Sequence, residues 1–256
     1  MMQIADPRAA FAARLGSRLP LTSAGADIIA ALITQTEQVR PRCDLVHHGE
    51  RTTLSIMLID GYACRYKIGP HGQRQIISFH LPGEVINSRP APQRVADHGI
   101  ATLNPCRIAR VNHAAIPDLF AEYPAIAWAF WTQALVELAT AFEWMMNIGR
   151  REGYARVAHL FCELAMRMGV TSRDADHSFE FPVSQVDLAD ATGMTAIHMN
   201  RILQRLRVEG VLSVSRHRIT IHDWTRLQEI GDFDPAYLCR TIEPADDMAF
   251  DDMIAG

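Results

Sequence analysis

The sequence predicts an α+β chain laid out as a β-roll, one long helix and a winged helix-turn-helix, in that order. Three observations carry this. Short strand-like runs separated by Asp-Gly, Gly-Pro and Pro-Gly turns fill residues 40–112. A helical stretch with apolar residues at alternating steps of three and four runs from Pro124 to about Ile148. Two short capped helices, a tight glycine turn and a basic hairpin follow from Ser184.

Composition bounds the rest. A chain of 256 residues, 48% hydrophobic and 21% charged, can bury a sizeable core and is neither disordered nor collagen-like. Its bases are almost all arginine, Lys67 being the one lysine. Residues 241–256, expected as an acidic disordered tail, hold Glu243, Asp246, Asp247, Asp251 and Asp252 and no base. Without those five the 25 bases slightly outnumber the acids, so the net charge of −4 does not exclude nucleic acid. Cys43, Cys64, Cys106, Cys162 and Cys239 form no C-x-x-C pair, which speaks against a zinc knuckle or a locally ligated iron–sulfur cluster. Scattered cysteines and an amino terminus without a long apolar core suit the cytoplasm.

Residues 23–34 read as a helix capped by Ser23, with Ile28, Ile29, Leu32 and Ile33 on its apolar face. TLSIMLID ends in Asp60-Gly61 and GYACRYKI follows at once, which predicts a hairpin, because both turn residues tolerate positive φ. Gly69-Pro70-His71-Gly72 turns the chain into RQIISFHL; a Pro-rich loop, INSRPAPQ, then leads to strands around IATL and RIARV. Asn112 or Asp118 is placed to cap a short helix, and Pro124 to open the long one. Within it Trp128, Trp131, Leu135, Leu138, Phe142 and Met145 form the stripe of a helix that packs along a partner helix. Phe130, Ala134, Ala141, Trp144 and Ile148 form a second stripe. Two apolar faces need two covers, and the economical pair is the chain's own roll and the same helix of a second subunit. Gln133, Glu137 and Glu143 oppose a membrane span, each carboxylate costing about 2.5–3.5 kcal/mol in lipid. After a further helix, YARVAHLFCELAMRM, the polar stretch GVTSRDADHS reads as a domain boundary.

The carboxy-terminal pattern is the most specific. Ser184 caps a helix with Leu188 and Ala189 inward, Thr192-Gly193-Met194 turns, and Thr195 caps a second helix carrying Ile197, Ile202, Leu203 and Leu206. Gly210 ends that helix, LSVSRHRITI alternates as a hairpin with Arg216-His217-Arg218 at its tip, and Asp223 starts a closing helix with Trp224 and Leu227. A helix fits the major groove of double-stranded DNA, where the side chains of its amino-terminal half, here Ala196, Ile197, His198, Asn200 and Arg201, meet base edges. Arg201 leads as a base or phosphate contact; Arg205, Arg207, Arg216 and Arg218 add positive charge. The helix amino termini at Ser184, Gln185 and Thr195 offer backbone donors to phosphate.

On IDGYACRYKIGPHGQRQIISFHLPGE, NIGRREGYARVAHLFCEL and VSQVDLADATGMTAIHMNRILQRLRVEGVL, the chain resembles the Crp/Fnr family of bacterial transcription regulators over about residues 40–238. The resemblance implies a cyclic-nucleotide-binding-like sensor roll with its amino-terminal helices over 1–122, a dimerisation helix and its successor over 123–170, and a winged helix-turn-helix over 171–240. It implies a homodimer on palindromic promoter sites, RNA polymerase as a further partner, and a ligand or redox signal that biases the DNA-binding domains. Two departures matter. Gly83-Glu84 of the nucleotide-binding pattern remain, but Ala96-Asp97 stand where an Arg-Ser/Thr pair would hold phosphate. That leaves Gly83, Glu84, Arg89 and Arg94 as the effector pocket and implies an effector other than cyclic AMP. The amino-terminal cysteine cluster of the oxygen-sensing branch is absent, and Ala196-Ile197 replace the Arg-Glu pair that often reads guanine and cytosine in the family.

Two rival readings are available. His47, His48, Glu50, His71, His80 and His98 suggest a cupin-like metal enzyme, and His80 or Cys64 a haem-based gas sensor. The cupin arrangement of H-x-H with a downstream Glu is missing, as are G-x-S-x-G and a phosphate loop. The sequence therefore leads to the expectation of no catalytic residue, metal or cofactor.

Overall fold

The computed structural model describes residues 6–87, 95–170 and 177–238. Their contacts define two units. Among the described residues, those up to Arg65 group with Phe79–Glu137, and Tyr66–Ser78 group with those from Leu138 to Leu238, so the division falls inside the long helix.

The first unit opens with α1 (Pro7–Gly16) and α2 (Ser23–Ala31). Thr22, not Ser23, caps α2, its Oγ1 accepting from Gly25 N at 3.1 Å, since the cap must stand one residue outside the first helical turn. The strands are β1 (Glu37–Val39), β2 (Asp44–Val46), β3 (Leu54–Asp60), β4 (Ala63–Ile68), β5 (Arg74–His80), β6 (Val85–Ile86), β7 (Gly99–Thr102) and β8 (Cys106–Asn112). They form two four-stranded sheets, ordered β1-β8-β3-β6 and β2-β7-β4-β5. The expected hairpin at Asp60-Gly61 is thus a corner between sheets. β3 is buried on both faces, so nothing local selects its partner, and it pairs with β8 from Leu54↔Asn112 to Leu58↔Ile108. Gly61 is needed there for another reason: at φ 89° a Cβ would stand 2.5 Å from the Pro105 carbonyl oxygen. The local hairpin is β4–β5, closed by Gly69 N to Gln73 O at 2.8 Å.

One core lies between the sheets, built on Leu45, Ile56, Leu58, Ile86, Ile100 and Ile108. Alternate residues of β3 and β8, Met57, Ile59, Ala109 and Val111, pack outward against Phe11, Leu15 and Ile29 of the amino-terminal helices and Ile126 and Ala129. The short helix α3 (Ala115–Glu122) is preceded by Ala114 and has no side-chain cap; neither Asn112 nor Asp118 serves, although Asn112 Oδ1 accepts from Ala114 N at 3.0 Å.

Pro124 opens α4 (Pro124–Arg150). Its buried positions are Ile126, Ala129, Thr132, Trp144 and Asn147. This corrects the second stripe: Ala134, Ala141 and Ile148 are exposed, because a 27-residue helix drifts around its axis relative to a fixed heptad stripe. Of the first stripe, Trp128 is half-buried, whereas Trp131, Leu135, Leu138, Phe142 and Met145 are exposed, Trp131 by 60% and Met145 by 71%.

The second unit holds α5 (Gly153–Arg167), β9 (Ser178–Glu180), α6 (Gln185–Thr192), α7 (Ala196–Val208), β10 (Leu212–Ser215), β11 (Arg218–Ile221), α8 (Trp224–Gly231) and a 3-10 turn, Pro235–Leu238. The sheet order β10-β11-β9 adds a third strand to the wing, hidden in the sequence by its length and by the polar stretch before it. Asp223 caps α8, accepting from Arg226 N at 2.9 Å. Within this unit Glu163 is fully buried, accepting from Trp144 Nε1 at 2.9 Å, Tyr237 Oη at 3.1 Å and Arg167 Nη1 at 3.2 Å. Three donors from α4, α5 and the 3-10 turn satisfy a charge that would otherwise be too costly to bury. His159 lies beside it, stacked on Tyr237 and bonded through Nδ1 to Gly231 O at 3.1 Å.

Candidate nucleic-acid interface

The helix-turn-helix is fixed by local chemistry. Ser184 Oγ accepts from Asp187 N at 3.1 Å while Ser184 N donates to Asp187 Oδ2 at 3.0 Å, a reciprocal cap on α6. Arg74, on β5, grips the same helix through Asp187 and, at 2.8 Å, Asp190. Burial alone would raise the Asp187 carboxyl, but its bonds from Ser184 and Arg74 outweigh burial and hold it below the usual range. Gly193 takes the left-handed conformation at φ 64°, and Thr195 Oγ1 caps α7 by accepting from His198 N at 3.2 Å. Met199, Ile202, Leu203 and Leu206 face inward.

The outer face of α7 carries Ile197, Asn200, Arg201 and Gln204. Ile197, which the sequence places among the side chains that meet base edges, is 69% exposed, as its place one turn before Arg201 dictates. Asn200 Nδ2 donates to Gln185 Oε1 at 3.0 Å, joining the two helices at the surface. Among the described residues no carboxylate pairs with Arg201. Ala196 is half-buried, and His198, though exposed, has Nε2 only 2.7 Å from where a Cβ on Gly153 would stand, which turns its ring toward the start of α5. Arg205 is engaged internally: Nε donates to Glu209 Oε1 at 2.7 Å, and the guanidinium lies 4.0 Å over the Tyr154 ring. Burial and the Glu209 carboxylate push the Tyr154 hydroxyl up to about 12. Both Ser184 donors are spent on Asp187, so the phosphate donors at this end of α6 begin with Gln185. At the wing tip Arg216 adopts φ 55°, and Arg218 is exposed, with Nη1 donating to Ser178 Oγ at 3.0 Å.

Sequence reasoning missed the residues that brace this surface. Gln75 Nε2 donates to Ala191 O at 3.3 Å, and Arg156 binds Thr192 O at 2.7 Å, Asn147 O at 3.0 Å and Ile148 O at 2.8 Å. A guanidinium spent on carbonyls leaves no acidic partner to notice; the i,i+4 spacing of Arg205 and Glu209 was the one legible signal.

The roll pocket is built differently. Glu84 is nearly buried between Arg18 Nη1 at 3.6 Å and His80 Nδ1 at 3.1 Å. Desolvation lowers the His80 pKa, so the ring is neutral at pH 7 and its Nδ1–H is the donor to Glu84. Ala96 belongs to the core between the sheets, and Asp97 Oδ1 bonds His98 Nδ1 at 2.7 Å. Gly83 takes φ 92°; Arg89, Arg94 and the tail 241–256 lie outside the described residues. Of the histidines in the enzyme reading, His47 meets Asp44 at 3.3 Å while His48 and His71 are exposed. Among the described residues no three His, Cys, Asp or Glu side chains converge as a metal site.

Comparison with known proteins bears on both regions. Residues 155–230 match the Crp-like helix-turn-helix domain. The chain is 27% identical over 176 residues to the nitrogen fixation regulation protein FixK of Azorhizobium caulinodans, covering 68% of this chain and 70% of that protein. It is 24% identical over 193 residues to the transcriptional activator protein FnrL of Cereibacter sphaeroides, covering 73% and 77%. The structure of FixK2 from Bradyrhizobium japonicum superposes with a TM-score of 0.69 at 23% identity, over 77% of this chain and 96% of that one, which is a likeness of fold.

Proposed function

We propose that the chain is a DNA-binding transcription regulator of the Crp/Fnr family that works as a homodimer on an inverted-repeat promoter site. The observation that carries the dimer is the exposed row Trp131, Leu135, Leu138, Phe142 and Met145 on α4. A monomer rarely leaves so contiguous an apolar surface in water. The helix has the length and composition to cross a membrane, but Glu137 lies 3.8 Å from Arg65 and Glu143 lies 3.2 Å from Arg151, pairings that favour a soluble partner helix.

In this reading α7 enters the major groove with Asn200 and Arg201 foremost, while Arg216 and Arg218 on the wing meet phosphate. The roll up to residue 122 receives the signal, α4 and α5 carry it over 123–170, and residues 171–240 bind DNA. The effector is a small molecule other than cyclic AMP, and RNA polymerase is a further partner of this cytoplasmic regulator. Catalysis has no part in it. Selection of bound duplexes from random DNA tests the reading. We expect an enriched two-fold symmetric site with half-sites roughly 34–36 Å apart; an asymmetric site, or equal affinity for random DNA, would refute it.

A further inference from the structure

We infer that α7 reads a thymine–adenine step, with Ile197 against the thymine 5-methyl group and Asn200, held by Gln185, on the adenine. The inference rests on the proposed placement of α7 in the major groove and deepens it.

Ile197 has no structural task. The inward face of α7 is complete with Met199, Ile202, Leu203 and Leu206, and Ile197 stands 69% exposed on the opposite side. It occupies the first turn after the Thr195 cap, where an acidic side chain would gain from the helix dipole and a β-branched one gains nothing. An exposed isoleucine among Asn200, Arg201 and Gln204 fits a surface with one small apolar feature surrounded by hydrogen-bonding groups. The major groove has that character, and its one methyl belongs to thymine.

Asn200 supplies the neighbouring contact. One of its Nδ2 hydrogens goes to Gln185 Oε1 at 3.0 Å, which fixes the orientation of the amide. The second Nδ2 hydrogen and Oδ1 stay open, and together they match adenine N7 as acceptor and N6 as donor. Three residues apart on a helix, Ile197 and Asn200 are surface neighbours and so address adjacent positions of the duplex. Gln185 acts here as a positioning residue.

The test uses the full-length protein and the site it selects from random DNA. Each thymine is replaced singly by deoxyuridine, which removes only the methyl, and each adenine by 7-deazaadenine, which removes only the N7 acceptor. One thymine per half-site is expected to lose about fourfold in affinity, the worth of one buried methyl group. One adenine is expected to lose about tenfold, at the low end for a bidentate pair. Ile197→Ala should abolish the first sensitivity alone, and Asn200→Ala or Gln185→Ala the second alone. All three positions are exposed, and unchanged melting temperatures would show that the variants are folded. A selected site indifferent to both replacements, or equal sensitivity in Ile197→Ala and the parent, overturns the inference. A pool that yields no enriched sequence removes the major-groove premise itself, a result distinct from an enriched site without a sensitive thymine.

Discussion

Glu84 in the roll and Arg201 on α7 use charge in opposite ways. Glu84 is enclosed, its two oxygens met by Arg18 and His80. Arg201 stands in solvent with no carboxylate partner among the described residues, beside an amide pair and an uncovered isoleucine. The same contrast separates the closed polar cluster of Glu163 from the open apolar face of α4. Groups satisfied inside the chain hold the fold, and groups left unsatisfied at its surface mark where partners belong.

The harshest way to break this contrast is to charge an open face. Leu138→Glu places a carboxylate in each half of the proposed interface, and burying unpaired charge there costs about 3–5 kcal/mol. Light scattering should find the monomer mass where the parent gives a dimer, with DNA affinity falling in parallel. An unchanged mass would remove α4 as the interface.

The closed clusters should answer to pH. Desolvation lowers the folded-state pKa of both His80 and His159, beside Glu84, Arg65 and Glu137 in one case and Arg151, Glu163, Glu143 and Tyr237 in the other. As pH falls below 6.5 the unfolded chain takes up protons that the folded chain refuses, so stability falls. The slope is about 1.4 kcal/mol per pH unit for each histidine until the lowered folded value is reached. Urea midpoints between pH 7.5 and 5.5 should drop for the parent and drop less for His80→Gln and His159→Gln. A flat parent profile would mean that neither ring is buried as neutral imidazole.

On the open DNA face, Arg201→Ala should cost about 1–3 kcal/mol at the selected site and relax its sequence preference. Arg218→Ala should weaken all sequences alike and reduce the salt slope by about one. Equal losses on specific and random DNA for both variants would erase the division of labour between helix and wing.

How much of this was legible follows from how local each determinant is. Ser184, Gly193, Thr195 and Asp223 act within four residues of themselves, so the caps and turn of the helix-turn-helix stand in the sequence. The partner of β3 is β8, some fifty residues away, and Asp60-Gly61 serves a corner as readily as a hairpin, so the roll's pairing was misread there. Arg205 looked like a DNA contact because Tyr154, which holds it, is distant in sequence. Arg74 and Arg156 brace α6 from elements that only the folded chain brings to it.

A smaller effect is expected at the cap of α6. Ser184→Ala removes the acceptor for Asp187 N and one donor to the Asp187 carboxylate, for about 1 kcal/mol of stability. Arg74 still grips Asp187, so DNA binding at temperatures well below unfolding should hardly change. A large loss of affinity with an unshifted denaturation midpoint would give Ser184 a direct phosphate contact after all.

Cyclic AMP and cyclic GMP should have no effect, and that expectation follows from the enclosure of Glu84. A buried phosphodiester needs a cation, because an unpaired charge out of water costs several kcal/mol. Ala96 is committed to the core between the sheets, and Asp97 offers a like charge engaged with His98. Glu84, already met by Arg18 and His80, could still accept from a ribose hydroxyl, but that neutralises no phosphate. Calorimetry with each nucleotide at millimolar concentration should give no saturable heat and no shift in DNA affinity. Saturable micromolar binding that tightens DNA affinity would mean that Arg89 or Arg94 takes over the phosphate and that the pocket around Glu84 opens on demand. The contrast between closed and open clusters would then describe one state of a switch and not a fixed property of the chain.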